Sequence, residues 1–145
     1  ALAEAGQAEE AEATARGAID RAAAILPADH PRRGHAEAAL GRALQRTDRH
    51  GEAEGHFSAA LEIYESQLGA DAWRTSMARG YLGQALLASG RRTEGLAAVE
   101  AAWDGLLLAL PPGHLRVEDF PREVAGILES LGDDARAAEW RSRVD

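Results

Sequence analysis

The chain has 145 residues, with 16 Lys and Arg against 24 Asp and Glu, a formal net charge of −8 and no cysteine. An acidic surplus on one modest domain disfavours nucleic-acid binding, and the missing thiols exclude disulfide frameworks, thiolate metal sites and cysteine nucleophiles. Every cation is arginine, which also removes Schiff-base chemistry and a phosphate-loop lysine; with 46% hydrophobic but only 5% aromatic residues, any core is built from Ala, Leu, Ile and Val in closely packed helices.

Apolar residues recur at helical spacing along the chain. The first predicted helix covers 7–25, with Glu9, Glu10 and Glu12 near its start opposing the macrodipole. The second, 32–47, carries Leu40, Ala43 and Leu44 at helical spacing, and the third, 51–68, carries Phe57, Ala60, Leu61, Tyr64 and Leu68 in the same way. Helices over 72–88 and 92–109 follow, with Trp73 and Trp103 as packing residues at hairpin junctions. Pro121 falls in the second turn of the next repeat's first helix, so 115–120 is expected as a separate turn and Asp119 as the N-cap of a helix over 121–131. The last helix, 134–143, is polar through Arg136, Glu139, Arg141 and Arg143, as a terminal cap requires. The longest apolar run, Leu106 to Leu110, is far short of the ~20 residues of a membrane span, and no signal peptide opens the chain, so no membrane partner and a cytoplasmic setting are expected.

These elements repeat with a step of 42 residues. Leu40-Gly41-Arg42-Ala43-Leu44 returns as Leu82-Gly83-Gln84-Ala85-Leu86 and, more loosely, as Val124-Ala125-Gly126-Ile127-Leu128. Gly6, Asp48, Gly90 and Gly132 keep the same step and read as turns, since Gly and Asp tolerate a left-handed backbone. Leu26-Pro27, Leu68-Gly69 and Leu110-Pro111 close successive units. Small residues twelve apart, Gly41 and Ala53, Gly83 and Gly95, Ala125 and Ala137, mark where the two backbones of each hairpin cross. Hairpins of this kind bury their faces by stacking on neighbours.

The pattern Leu-Gly-x-x-Leu followed by Ala53-x-x-x-Phe57 and Ala60 resembles the tetratricopeptide repeat, and the 42-residue step with Ala59 through Asp71 resembles its longer kinesin-light-chain type. The resemblance implies an all-α fold, a right-handed α-solenoid of antiparallel hairpins with about seven helices, over a single domain 1–145 divided as 1–29, 30–71, 72–113 and 114–145. Because Gly6 follows the first residue so closely, the array is expected to begin inside a repeat. Ile127 through Arg141 resembles the closing segment of bacterial multidomain Ser/Thr kinases and related regulators, which implies a larger signalling parent.

The parts of an active site are missing. His30, His35, His50, His56 and His114 include no i,i+4 pair of the helical zinc type, and no nucleophile elbow or phosphate loop is present. No catalytic residue, metal or cofactor is expected, and the reading is not an enzyme.

In the resembled family the first helix of each hairpin lines a concave groove. Its exposed positions read as His35, Ala38, Ala39, Arg42, Gln45 and Arg46, then Met77, Gly80, Tyr81, Gln84 and Leu87, then Asp119, Arg122, Glu123, Gly126 and Glu129. His35, Arg42, Arg46 and Arg49 share one stripe. Arginine grips carboxylates and phosphates bidentately, so the expected partner is an acidic, phosphorylated or carboxylate-bearing peptide contacting His35, Arg42, Gln45, Arg46, Arg49, Met77, Tyr81, Gln84 and Arg122. The competing reading is a solvated face, with Arg42 or Arg46 paired to glutamates of adjoining helices. With no Asn in the chain, the family's asparagine ladder and lysine–asparagine clamp do not carry over; Ala39, Tyr81 and Glu123 occupy the ladder column. A second function is self-association as a homodimer, driven by the first helix or by Leu106 to Leu110, with the acidic first helix meeting another copy's basic stripe.

Overall fold

The structure, a computed structural model, describes residues 2–145. Among these it places seven helices: α1 (Leu2–Ile25), α2 (Pro31–Arg46), α3 (His50–Leu68), α4 (Trp73–Ala88), α5 (Arg92–Ala109), α6 (Leu115–Ser130) and α7 (Asp134–Arg141). They stack as antiparallel hairpins α2–α3, α4–α5 and α6–α7, with α1 packed on α2. The inner helices α2, α4 and α6 also touch in sequence, whereas α3 and α5 do not, so the stack curves with α2, α4 and α6 on its concave side.

Each inner helix ends in the same turn. Asp48, Gly90 and Gly132 sit at φ 59°, 86° and 80°, the left-handed region. The next N–H reaches back five residues, from Arg49 to Leu44, Arg91 to Leu86 and Asp133 to Leu128, at 3.0, 2.9 and 2.9 Å. This is the Schellman arrangement, which satisfies carbonyls a helix end otherwise strands. Gly6 shares the column but not the conformation. It lies inside α1, which runs unbroken from Leu2, so the expected turn at Gly6 and helix start at residue 7 are corrected, and Glu9, Glu10 and Glu12 are mid-helix residues. Residues 2–5 belong to α1, and Ala1 lies outside the described residues.

The twelve-residue pairs do mark close crossings. A Cβ on Gly95 would stand 2.8 Å from the Leu87 backbone nitrogen and 3.0 Å from the Gly83 carbonyl oxygen, and one on Gly83 2.9 Å from the Val99 nitrogen. At the first crossing the space is filled instead by a ring, since a Cβ on Gly41 would meet Phe57 at 2.6 Å. Ala53, Ala125 and Ala137 are fully buried. Aromatic contacts join neighbouring repeats, where Phe57 stacks on Tyr81 at 5.5 Å and Trp140 meets Trp103 edge-on at 6.4 Å, and close the last hairpin, where Trp140 meets Phe120 edge-on at 6.1 Å. Burying each such side chain contributes about 1.5–3 kcal/mol.

The segment 115–120 is not a separate turn. It is the first part of α6, which runs through Pro121 and is capped by the His114 side chain accepting the Arg116 N–H, not by Asp119. Val117, Phe120, Val124 and Leu128 share one buried face only if the helix is continuous, and that burial outweighs the hydrogen bond Pro121 cannot make. The same device caps α2, where His30 accepts the Arg32 N–H one period of 42 before a half-filled column at Ala72.

Ion pairs lock successive repeats along the turn edge. Arg49 binds Glu12 of the preceding unit and Glu52 of its own, and 42 residues on Arg91 binds Glu54 and Glu94 in the same way. At the last junction the polarity inverts: Asp133 stands in the arginine column and is held by Arg92 and Arg136.

Candidate functional site

Three cavities line the concave side, and Arg42 borders all of them. The widest, about 600 Å³, lies between α4 and α6 against Trp73, Met77, Tyr81, Arg116 and Phe120, with Asp119 and Glu123 at its rim. The next, about 460 Å³, lies toward the helix C-termini and is lined by Gln45, Arg46, Gln84 and Glu123 among others. The smallest, about 160 Å³, lies toward the helix N-termini among His35, Arg42, Tyr64, Trp73, Arg74, Met77, Tyr81 and Arg116.

Three arginine–aromatic contacts organise this surface. The Arg42 guanidinium lies 4.7 Å from the centre of the Tyr81 ring, and its Nη1 donates to the Tyr81 hydroxyl at 2.9 Å. The Trp73 ring carries two guanidiniums, Arg74 at 4.4 Å and Arg116 at 4.6 Å from its centre. Such contacts fix a flexible cation without neutralising it. Burial pushes the Tyr81 phenol pKa up, and it pushes Tyr64 up to about 12, so both hydroxyls remain available as donors at neutral pH. Burial, followed by the charges of Arg74 and Arg116, holds the His35 pKa below its ordinary value, which leaves a neutral imidazole edge-on to Tyr64 at 5.6 Å.

Arginine pairing separates this face from the rest. Arg21, Arg32, Arg33, Arg42, Arg46, Arg74 and Arg116 have no carboxylate within ion-pair distance among the described residues; the other nine do. Four of those seven line the groove. The expected pairing of Arg42 or Arg46 with neighbouring glutamates is therefore absent. The Arg74 Nε is buried with no hydrogen-bond partner.

Of the residues picked from sequence, His35, Arg42, Gln45, Arg46, Met77, Tyr81 and Gln84 all border the cavities. Met77, Tyr81 and Gln84 are mostly buried, with Gln84 donating to Glu123 at 3.2 Å across α4 and α6. Arg49 and Arg122 are not brought there. Arg49 belongs to the turn-edge clamp with Glu12 and Glu52, and Arg122 lies beside Glu118 and Asp119 at 3.9 and 3.8 Å. Gly80 and Leu87 are packing positions, Gly80 because the Phe120 ring fills the place of its Cβ. Trp103 packs as expected, but Trp73 faces the groove. Trp73, Arg74 and Arg116 were missed, although an arginine column at 32, 74 and 116 keeps the 42-residue step.

Among the described residues no group of three or more His, Cys, Asp or Glu could hold a metal ion, and no helix is long and apolar enough to cross a membrane.

Fold and groove together define a TPR-like helical-repeat array. Residues 1–66 match the family model described as tetratricopeptide repeat. The whole fold is similar to a crystal structure of a Podosopora anserina putative kinesin light chain with nearly identical TPR-like repeats, at 22% identity and TM-score 0.75, covering 96% of this chain and 66% of that one. It is also similar to BtubC (BKLC) from P. vanneervenii, at 16% identity and TM-score 0.74, covering 96% of this chain and 56% of that one. The chain thus spans less than two thirds of either structure. No curated protein matches its sequence.

Proposed function

We propose that the chain is a protein-interaction scaffold whose concave face, formed by α2, α4 and α6, grips a negatively charged segment of a partner protein. The observation that carries the reading is the segregation of charge: in a chain of net −8, four arginines without a carboxylate line one groove. Arg42 stands at its centre. These guanidiniums have no carboxylate partner among the described residues, and an incoming anion supplies the charge-assisted hydrogen bonds that the chain's own acids do not make. Gln45 offers an amide to a peptide backbone, and Trp73 offers apolar surface. The test is panning of a random peptide library at low and high salt. Acidic or phosphorylated sequences should be enriched at low salt, and capture should be lost in Arg42→Glu/Arg46→Glu with unchanged helicity. Enrichment of neutral sequences that survives both changes refutes it.

Self-association has an observation of its own. Leu107 and Leu108 are 50% and 88% exposed at the end of α5. If this patch joins two copies, light scattering gives a dimer for the native chain and a monomer for Leu107→Glu/Leu108→Glu. The acidic first helix does not need a second copy for its partner, because Glu12 already holds Arg49 within the chain.

A further inference from the structure

We propose that the smallest groove cavity, among His35, Arg42, Trp73, Arg74, Tyr81 and Arg116, is a subsite for the dianionic phosphate of a phosphorylated side chain on the bound segment. This inference rests on the groove reading above and names the chemistry of its N-terminal end.

The first argument is composition. The cavity has three arginines and a histidine on its walls and no carboxylate, in a chain with half again as many acids as bases. None of the three guanidiniums holds an acid elsewhere, and Arg74 leaves a buried N–H without an acceptor. The two wider cavities differ: each includes Glu123, and one adds Asp48 and the other Asp119. A doubly charged ligand is therefore favoured in the small cavity and penalised beyond it.

The second argument is the helix ends. Every outer helix has an acid in its first turn, Glu52, Glu94 and Asp134 in α3, α5 and α7, which in α5 and α7 accompanies Arg92 and Arg136. Arg32, Arg74 and Arg116 stand in the first turns of α2, α4 and α6, where a cation is disfavoured; α6 has Glu118 beside it, but α2 and α4 have no acid there at all. An anion between these ends meets both the guanidiniums and the positive end of the dipole.

The third argument is fit. A volume of about 160 Å³ admits a phosphoryl group with its linking atoms but not a folded surface. All three guanidiniums line this one space, Arg42 bonded through Nη1 to the Tyr81 hydroxyl and Arg74 and Arg116 held on the Trp73 ring. Three acceptor oxygens satisfy such a set, and a monoanionic carboxylate leaves part of it unmet.

The test is an NMR titration of the chain at pH 7.5 and constant ionic strength, reading the indole N–H of Trp73 and the Nε–H of Arg74 and Arg116. Inorganic phosphate should shift all three saturably, about tenfold more tightly than acetate. Arg74→Gln/Arg116→Gln should abolish the shift at Trp73 with unchanged far-UV circular dichroism, and the Arg74→Lys/Arg116→Lys protein should bind at an intermediate level. If the double variants do not fold, Arg116→Gln alone is used. Equal response to acetate and phosphate, or phosphate binding that survives Arg116→Gln, overturns the subsite. A phosphoserine peptide pool run beside serine and glutamate pools then separates the two readings. Phosphoserine selected about tenfold or more over glutamate supports both. Glutamate and phosphoserine selected alike leaves the groove standing and overturns the subsite, whereas free phosphate binding as tightly as any peptide supports the phosphate site and overturns its peptide-borne source.

Discussion

Gly95 offers the sharpest check on how the groove is held open. Its absent side chain lets α5 cross α4 so closely that an added Cβ would stand 2.8 Å from the Leu87 nitrogen and 3.0 Å from the Gly83 carbonyl oxygen. Both are backbone atoms, so no rotamer change relieves the clash and the helices must separate. Overpacking of this kind costs about 1–3 kcal/mol, offset by about 1 kcal/mol from the better helix propensity of alanine. Gly55 in α3 is the internal control, because a Cβ there meets nothing within 4 Å and only the propensity gain remains. Gly95→Ala should therefore lower Tm by up to about 8 °C and Gly55→Ala should raise it by about 2–4 °C. The assay is thermal unfolding followed by circular dichroism at 222 nm. Equal stabilisation by the two substitutions would refute the close crossing of α4 and α5.

The other predictions concern charge. Charge reversal in Arg42→Glu/Arg46→Glu should weaken an acidic peptide about tenfold or more, read by fluorescence anisotropy, because a charge-assisted hydrogen bond contributes about 1.5–3 kcal/mol. The hydrogen bond from Arg136, helped by Arg92, holds the Asp133 carboxyl at about 2 against 3.8 in the unfolded chain. A depressed folded pKa contributes stability that is present above 3.8 and lost as pH falls toward 2. Asp133→Asn should accordingly melt lower than the native chain at pH 7 and alongside it near pH 2. At His35 the cations oppose protonation, so a bound anion should raise its pKa, which an NMR titration of the imidazole with and without phosphate measures. Glu12→Gln should increase amide exchange in α1 more than in α5, since Glu12 ties α1 to the Arg49 turn.

Most of the fold was legible because a repeat prints its constraints more than once. The left-handed turn at Asp48, Gly90 and Gly132 and the small residues at the crossings appear at a fixed step, and each has a steric cause that sequence states directly. The errors fell where a column changed meaning. Gly6 occupies the turn column but has no preceding inner helix among the described residues to end, so the helical default prevails. Pro121 reads as a helix start by its missing N–H, yet Val117 and Phe120 bury enough apolar surface to carry the helix through it. The site was half legible for a related reason. Arg42 and Arg46 announce themselves as a local cluster, whereas Arg74 and Arg116 are distant in sequence and meet only because α4 and α6 are neighbours around Trp73.

Arg49 shows why a charge stripe read from a helical wheel is not yet a surface. It shares a register with Arg42 and Arg46, but it lies past the end of α2, where the chain has turned toward the edge at which repeats are clamped. There each arginine meets a glutamate from the unit before and one from its own. Glu12, Glu52, Glu54 and Glu94 are in this way committed at the turn edge, where they hold repeats in register. Arg42, Arg74 and Arg116 have no acid at ion-pair distance among the described residues, and aromatic faces hold them in place without cancelling their charge. A chain of net −8 can thereby present a cationic groove, and the stacking that fixes the solenoid is the same stacking that brings Arg42, Arg74 and Arg116 around one cavity.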